Sequence, residues 1–424
     1  MIVNRAIDKE YDCLWTSGYT TVHKKIYRDH FANNWMDYLD IENEKIFYVE
    51  FMGIDTFKIF KLEQYVDAEY IDQIRNGDLK LMLHLTGHGY HEIIEEIYTH
   101  VVGRDRVPVK NIIVSSESID LHRAVEWVSK KYNYEPLRTR VTFEFEAYGK
   151  HYANTMVNYL DGGRTDAVYV SPFKFEHKKY NKKFICLNGF WREHRAAIVF
   201  LLASYNLLDQ GYISYNIKDS GGESTGENTY QVLTHRMGHI PEVVELFEQN
   251  KEKLCTIDHI LLDTEYNQNY QNLAQIKHEH NIWFNDSYFT LCTETNYPNL
   301  YPKDFVFEPH RYYDVVGRLY SEKIFRCIVY KHPFIATGPK HFLKVLHLLG
   351  YKTFHPIIDE SYDNEPDDAT RLLMIAKEAK RLCELDEEGL KRFLDYSKEI
   401  CEHNFNVLKN HRHKFAFDLP LANL

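Results

Sequence analysis

Apolar residues recur along this chain in two periods, and the way the two alternate is the first guide to its architecture. Short runs rich in β-branched and aromatic residues are each followed by a stretch with apolar positions three and four apart. That order is the signature of βα units and a parallel sheet. In the first half, residues 46–51 and 79–85 read as strands, and the loop Thr86-Gly87-His88-Gly89 opens a helix from about Tyr90 to Val101. A strand at Asn111 to Ser115 follows, then a helix from Ile119 to Lys131 with Leu121, Val125 and Val128 on one face.

A second series begins near residue 182. Residues 183–187 read as a strand, Arg192 to Leu208 as a strongly apolar helix, and residues 212–215 as a strand. Pro241 starts a helix that runs to Lys253, and proline is well suited to a first helical position. Strands are expected at His259 to Leu262, Ser287 to Thr293 and Pro333 to Ala336, with helices from Glu322 to Tyr330 and from Lys340 to Leu349, the latter ended by Gly350. Between the two series, Pro172 and a Lys-rich polar run interrupt the pattern. The expected division is an N-terminal α/β domain at 1–180, a C-terminal α/β domain at 181–385 and a terminal segment at 386–424. The last helix, about Glu387 to Lys409, carries Leu390, Phe393, Leu394, Ile400, Cys401, Phe405 and Leu408 at helical spacing. Such a stripe must be buried somewhere, and packing back on the N-terminal domain is the expectation.

Composition narrows this picture. A chain of 424 residues is long enough for two domains with their own cores. No run approaches the roughly 18 apolar residues of a membrane helix, and the first ten residues lack the apolar centre of a signal peptide, so no membrane span and a cytoplasmic address are expected. The 7 cysteines are scattered and never form a CxxC pair, which suggests neither a disulfide framework nor a zinc knot. A formal net charge of −11 argues against a broad grip on nucleic acid while leaving room for a local basic groove. The 32 Tyr and 25 Phe suit stacking on sugars or bases and equally suit an aromatic core.

Two segments hold candidate chemistry. Asn188-Gly189-Phe190-Trp191-Arg192-Glu193-His194-Arg195 follows a strand and opens a helix, where free N–H groups and the helix dipole attract anions. Arg192 and Arg195, three apart, would both reach one phosphate; the alternative is a solvated first turn. The second segment runs from Ser321 to Gly338. Ser321 is placed to cap a mostly apolar helix, with Glu322 and Lys323 at its mouth, where a carboxylate suits ribose hydroxyls and an ammonium suits a diphosphate; a surface ion pair is the alternative.

The run Ser321-Glu322-Lys323, a helix, then His332-Pro333-Phe334-Ile335 and Gly338 resembles the donor-binding signature of GT-B glycosyltransferases, especially the fucosyltransferase-like group. The segment from Asn188 to Arg195 is similar to the phosphate-binding entry of the same domain. The resemblance covers residues 183–362, and the N-terminal half matches only in its βα pattern. It implies two Rossmann-like domains facing each other across a cleft, no cofactor, and a nucleotide-sugar as co-substrate. By carry-over Glu322 holds the donor ribose, and Lys323, Arg192 and Arg195 face the diphosphate. Asn188, Ser321 and Gly338 complete that site, with Glu294, Thr295, Asn285 and Asp286 around the sugar.

The sequence departs from familiar fucosyltransferases at residues 331–334 and 350–363, so fucose is not transferred with the resemblance. A base for the acceptor hydroxyl is expected after a strand of the N-terminal half, with His88, Glu92 and Glu117 as candidates; their structural alternatives are a polar loop residue, a first-turn charge and a capping neighbour. His84, His88 and His91 lack an HExxH frame, so no metal site is expected. Neither GxxxxGK[ST] nor a GxGxxG after a strand is present. The expected activity is therefore transfer of a sugar to a hydroxyl, on a glycan or on a hydroxymethylated DNA base of the kind that similar chains from bacterial viruses modify. A catalytically inactive GT-B-like binding protein is the competing expectation.

Overall fold

The computed structural model describes residues 2–5, 46–52, 61–66, 68–86, 90–116, 118, 120–141, 153–154, 157–159, 167–189, 191–217, 225–260, 262, 278–295, 297, 300 and 320–410. Their contacts divide the chain into two units. Described residues up to Val141 fall in the first and those from Ala153 to Asn410 in the second.

The first unit is a parallel sheet of β1 (Ile2–Arg5), β2 (Ile46–Met52), β3 (Lys80–Thr86), β4 (Ile112–Ser116) and β5 (Arg138–Val141), arranged in the order of the sequence. Among the described residues, a single helical turn at Leu62–Tyr65, α1 (Ala68–Asn76), α2 (Tyr90–Glu96), which continues as a π-type turn over Ile97–Arg104, and α3 (Leu121–Tyr132) lie between strands. Alternate strand residues Phe47, Val49, Leu81, Leu83, Leu85, Ile112 and Val114 share one core with Ile74, Ile94, Ile97, Val125 and Val128 from the helices. Every crossover steps in the same direction, and right-handed crossovers of that kind place their helices on one face. The other face is buried as well, through Met82, His84, Ile113 and Ser115.

In the second unit a small antiparallel pair, β6 (Val157–Tyr159) and β7 (Ala167–Tyr169), precedes the main parallel sheet. That sheet consists of β8 (Phe184–Asn188), β9 (Gly211–Tyr215), β10 (Phe289–Thr293) and β11 (Phe334–Thr337), in the spatial order β11-β10-β8-β9. The chain winds outward from β8 to β9, then crosses back past β8 to reach β10 and β11. Winding therefore reverses between β8 and β10.

Helix α4 (Glu193–Ser204) follows β8 and is buried from His194 through Ser204. Apolar on all sides, it requires cover on all sides; α5 (Gly226–Met237), α6 (Pro241–Gln249) and α7 (Lys251–Cys255) supply one layer of it, and α11 (Asp368–Cys383) packs on it too. The chain further contributes α8 (His278–Asn285), α9 (Glu322–Val329), α10 (Phe342–Leu348) and α12 (Glu387–Asn410). Gly350, at φ +86°, ends the turn after α10 in a conformation that glycine adopts without penalty.

Three expectations change. Residues 171–182 belong with the second unit, because Ser171 N donates to Asn281, Phe173 N to the Tyr330 carbonyl and Lys182 N to the Asp286 carbonyl. The apolar stripe of α12 is buried inside the second unit, against α9 and beside Phe289, whose ring lies 6.3 Å from that of Phe393. It had been expected on the N-terminal domain, but periodicity shows that a stripe needs cover and does not say which partner gives it. Finally, among the described residues of the strand expected at His259 to Leu262, Ile260 forms an isolated antiparallel bridge with Tyr215, and Leu261 lies outside the described residues.

Among the described residues no helix is long and apolar enough to cross a membrane. Six cysteines among them are free thiols, five of these buried.

Candidate functional site

The carboxyl ends of β8 and β10 lie side by side where the winding of the second sheet reverses. In open α/β sheets the two flanking connections part to opposite faces at such a point and leave a crevice. Asn188 ends β8 there. Its side-chain amide donates to Cys186 Sγ at 3.2 Å, its Oδ1 accepts from Thr293 Oγ1 at 2.6 Å, and its backbone N–H donates to Ser214 Oγ at 3.1 Å. Asn188 thus ties three strand ends together and is 1 % exposed. Expected among the donor-contacting residues, it has its side chain taken up by these bonds between strand ends.

The chain leaves β10 through Glu294, whose side chain is fully buried. Its Oε2 accepts from the Ser321 hydroxyl, and from the backbone N–H groups of Ser321 and Thr295 at 3.2 Å each. Its backbone carbonyl accepts twice, from His194 Nε2 at 2.9 Å and from Arg195 Nη2 at 3.2 Å. One residue therefore joins the end of β10 to the first turns of both α4 and α9. A carboxylate taken out of water requires such donors, because an unsatisfied one is strongly destabilising.

Ser321 caps α9 by accepting from Lys323 N at 3.3 Å. The Lys323 ammonium folds back over this turn and donates to Thr295 Oγ1 at 2.8 Å and to Ser321 Oγ at 3.3 Å. It is half-buried, so its charge is less screened than that of a lysine in open water. Arg192 is the N-cap residue of α4, in extended conformation, and is exposed. His194 connects these cations: burial holds its pKa well below the usual imidazole range, and the nearby charges of Arg195, Arg192 and Lys323 push the same way. Its ring stacks on Tyr297, with centroids 5.0 Å apart.

The site residues read from sequence thus separate. Arg195, Glu294, Ser321 and Lys323 meet in one network. Arg195, however, is 2 % exposed and bonded to a carbonyl, so the pairing of Arg192 and Arg195 on one phosphate gives way to a buried and an exposed arginine with different surroundings. Gly338 has a packing reason for lacking a side chain, since a Cβ there would meet the Phe342 ring at 2.5 Å. Asn285 and Asp286 precede β10 and so lie at the opposite end of the strands from Glu294, bonded to Ser171, Asn181 and Tyr212. His332, part of the motif that carried the resemblance, is a core histidine. Its ring contacts Thr290 Oγ1 at 2.8 Å and the Ser287 carbonyl at 3.0 Å, and burial pushes its pKa down to about 3. The Glu322 and Glu92 side chains, and His88 and Glu117, lie outside the described residues.

Sequence reasoning passed over His194, Tyr297 and Arg371. Arg371, 1 % exposed, bonds Asp368 and lies 5.6 Å over the Tyr297 ring, whose hydroxyl donates to the Asp368 carbonyl at 2.7 Å. His194 lies within the Asn188 to Arg195 segment, where nothing in a lone histidine separates it from its neighbours. In the first unit, His84 Nδ1 and Ser115 Oγ are 2.9 Å apart on adjacent buried strands. Among the described residues no group of three or more His, Cys, Asp or Glu side chains is arranged to hold a metal ion. No family model matches the chain, and neither a curated protein nor a solved structure matches it.

Proposed function

We propose that this chain is a glycosyltransferase of the GT-B type, moving a sugar from a nucleotide-sugar to a hydroxyl acceptor, with the nucleotide held over the carboxyl ends of β8 and β10. The observation that carries this reading is the meeting of Lys323, Arg195 and Glu294 at the reversal point of the second sheet, where ligands of open α/β sheets sit. Lys323, half-buried on a turn fixed by Ser321 and Thr295, is the cation for the diphosphate, and exposed Arg192 adds a second from the start of α4. Arg195 is a positioning residue, holding the Glu294 backbone from beneath. Glu322 is assigned to the ribose from its place in the motif.

As the bond to the sugar breaks, negative charge grows on the departing diphosphate, and cations already in place stabilise it without reorganising. Fixed ammonium and guanidinium groups can serve this purpose, so turnover is proposed to proceed without a divalent ion. In the proposed arrangement the first unit is the acceptor side and supplies the base, drawn from His88, Glu92 and Glu117. The acceptor is a glycan hydroxyl or a hydroxymethylated DNA base.

A thermal-shift screen with uridine, guanosine and cytidine nucleotides tests the reading, because a ligand stabilises only the state that binds it. Selective stabilisation by one nucleotide, followed by release of nucleoside diphosphate when the matching nucleotide-sugar and an acceptor of either class are supplied, supports a transferase. Stabilisation with no turnover on either class supports a binding protein, and no stabilisation by any nucleotide removes the site.

A further inference from the structure

Away from the strand ends, the second unit holds an open cavity of about 870 Å³ between α10, the loop of residues 352–364 and α12. That volume lies in the range of sites for small molecules. None of its lining residues takes part in the network around Glu294.

The wall is built from acceptors fixed by the fold. Glu360 accepts from Phe354 N at 2.7 Å through Oε1 and from Thr353 Oγ1 at 2.5 Å through Oε2. Asp363 accepts from Leu343 N at 2.9 Å through Oδ1 and from Lys344 N at 3.1 Å through Oδ2. Each of these four oxygens has one protein donor here and the capacity for another. Thr353 also contacts His347 Nε2 at 2.9 Å. With Glu360 ionised, the single threonine hydrogen goes to the carboxylate, so Nε2–H must donate to Thr353, and the neutral ring keeps Nδ1 as an acceptor. Burial pushes the His347 pKa down, which favours that neutral form.

The same cavity offers donors and an aromatic face. Lys344 and Lys352, both exposed, are among its lining residues. Tyr396 lines it too, 40 % exposed, with its hydroxyl tied to the His355 carbonyl at 2.6 Å so that the ring is held at its tip. A simple anion would meet these carboxylates and those of Asp359, Asp395 and Glu399, which line the cavity as well; Asp395 is already paired with His177, and among the described residues no group of carboxylates is arranged to hold a metal ion. A ligand whose every polar group both donates and accepts, and which carries an apolar C–H face, satisfies all of these together.

We propose that this cavity is a binding site for a small polyhydroxylated ligand, a pyranose sugar, with Glu360 and Asp363 accepting from its hydroxyls and Tyr396 stacking on its C–H face. The site is independent of the nucleotide site proposed above. Calorimetry of the full chain with D-glucose, D-galactose and D-mannose, and with 1,4-diaminobutane as the cationic control, tests it. At least one sugar should bind. Glu360→Gln and Tyr396→Ala should each weaken that binding about tenfold or more, with Tyr396→Phe close to wild type, because the ring remains. Lys323→Ala should leave it unchanged. Tyr396 is exposed, so its variants keep the test valid if Glu360→Gln fails to fold. Absence of binding by all three sugars, preference for the diamine, or sugar binding indifferent to Tyr396→Ala overturns the proposal. Nucleotide titrations on the same samples report on the other site separately.

Discussion

The two parallel sheets are built from the same βα units and differ in one decision of the chain. In the first, β1 to β5 follow one another in space, so the winding never turns back. In the second, the chain returns past β8, and β8 and β10 become neighbours whose onward connections leave in different directions. The consequence is visible at the strand ends. In the described part of the first sheet, His84 lies 2.9 Å from Ser115 on the adjacent strand. In the second, Glu294 gathers groups from α4, α9 and its own loop. Topology sets the ends of β8 and β10 side by side, and one buried carboxylate ties together the turns around them. The proposed site accordingly lies on the second sheet.

Core and site substitutions should separate the two sheets. Leu83→Ala, at a fully buried position of β3, should destabilise the chain by about 2–5 kcal/mol, the usual result of emptying a core site. The folded fraction should bind nucleotide as the wild type does. Denaturant unfolding followed by titration below the transition checks both, and a change in affinity equal to that of a site variant would erase the distinction between the sheets.

Glu294→Ala belongs next. It strips acceptors from the Ser321 hydroxyl and from the Ser321 and Thr295 N–H groups, and should cost about 3 kcal/mol in stability. Unlike Leu83→Ala, it should also weaken nucleotide binding in the protein that remains folded. Stability loss alone would reduce Glu294 to a structural residue.

Acid should act through the second sheet's histidines. His332 has a folded pKa of about 3 against an unfolded value near 6.5. Below pH 6.5 the unfolded chain takes up a proton that the folded chain refuses, so the stabilising contribution is present above that pH and falls as pH drops toward 3. Between pH 6.5 and pH 5 this single group should remove about 2 kcal/mol, and His194, shifted in the same direction, adds to the loss. His332→Gln should flatten the dependence. Denaturant midpoints measured across that range give the answer, and an unchanged slope in the variant would contradict the assignment.

Gly338→Ala is expected to have a smaller effect, about 1–3 kcal/mol from forcing the Phe342 ring to move. It should leave nucleotide affinity intact if the glycine serves packing and not the ligand.

The sequence made much of this legible, and the limits have physical causes. Strand and helix positions such as β3, β10, α9 and α12 followed from periodicity, since burial of one face leaves a mark every two or every three to four residues. The order of strands leaves no such mark, so the reversal at β8 and β10, and with it the place of the proposed site, was invisible. The motif residues Arg195, Glu294, Ser321 and Lys323 were picked out by type and position, yet type does not reveal burial. Arg195 reads the same on paper whether it faces a phosphate or a backbone carbonyl. Asn285 and Asp286 were misplaced because flanking a strand in sequence puts residues at its opposite ends in space. Arg371 and Tyr297 came together only through α11, some seventy positions further along the chain.

The central claim is that the turn joining Glu294, Ser321 and Lys323 receives the diphosphate of a nucleotide. Titration calorimetry of wild type and Lys323→Ala, each with the nucleoside diphosphate selected by the thermal-shift screen and with its free nucleoside, addresses it most directly. The fold should survive, because the apolar contacts of α9 come from Ile324, Phe325 and Ile328. Loss of a charge-assisted bond to phosphate is worth about 1.5–3 kcal/mol, so the diphosphate should bind roughly tenfold to somewhat over a hundredfold more weakly while the nucleoside is little affected. Equal losses for the two ligands, or unchanged binding of the diphosphate by a folded Lys323→Ala protein, would contradict the assignment.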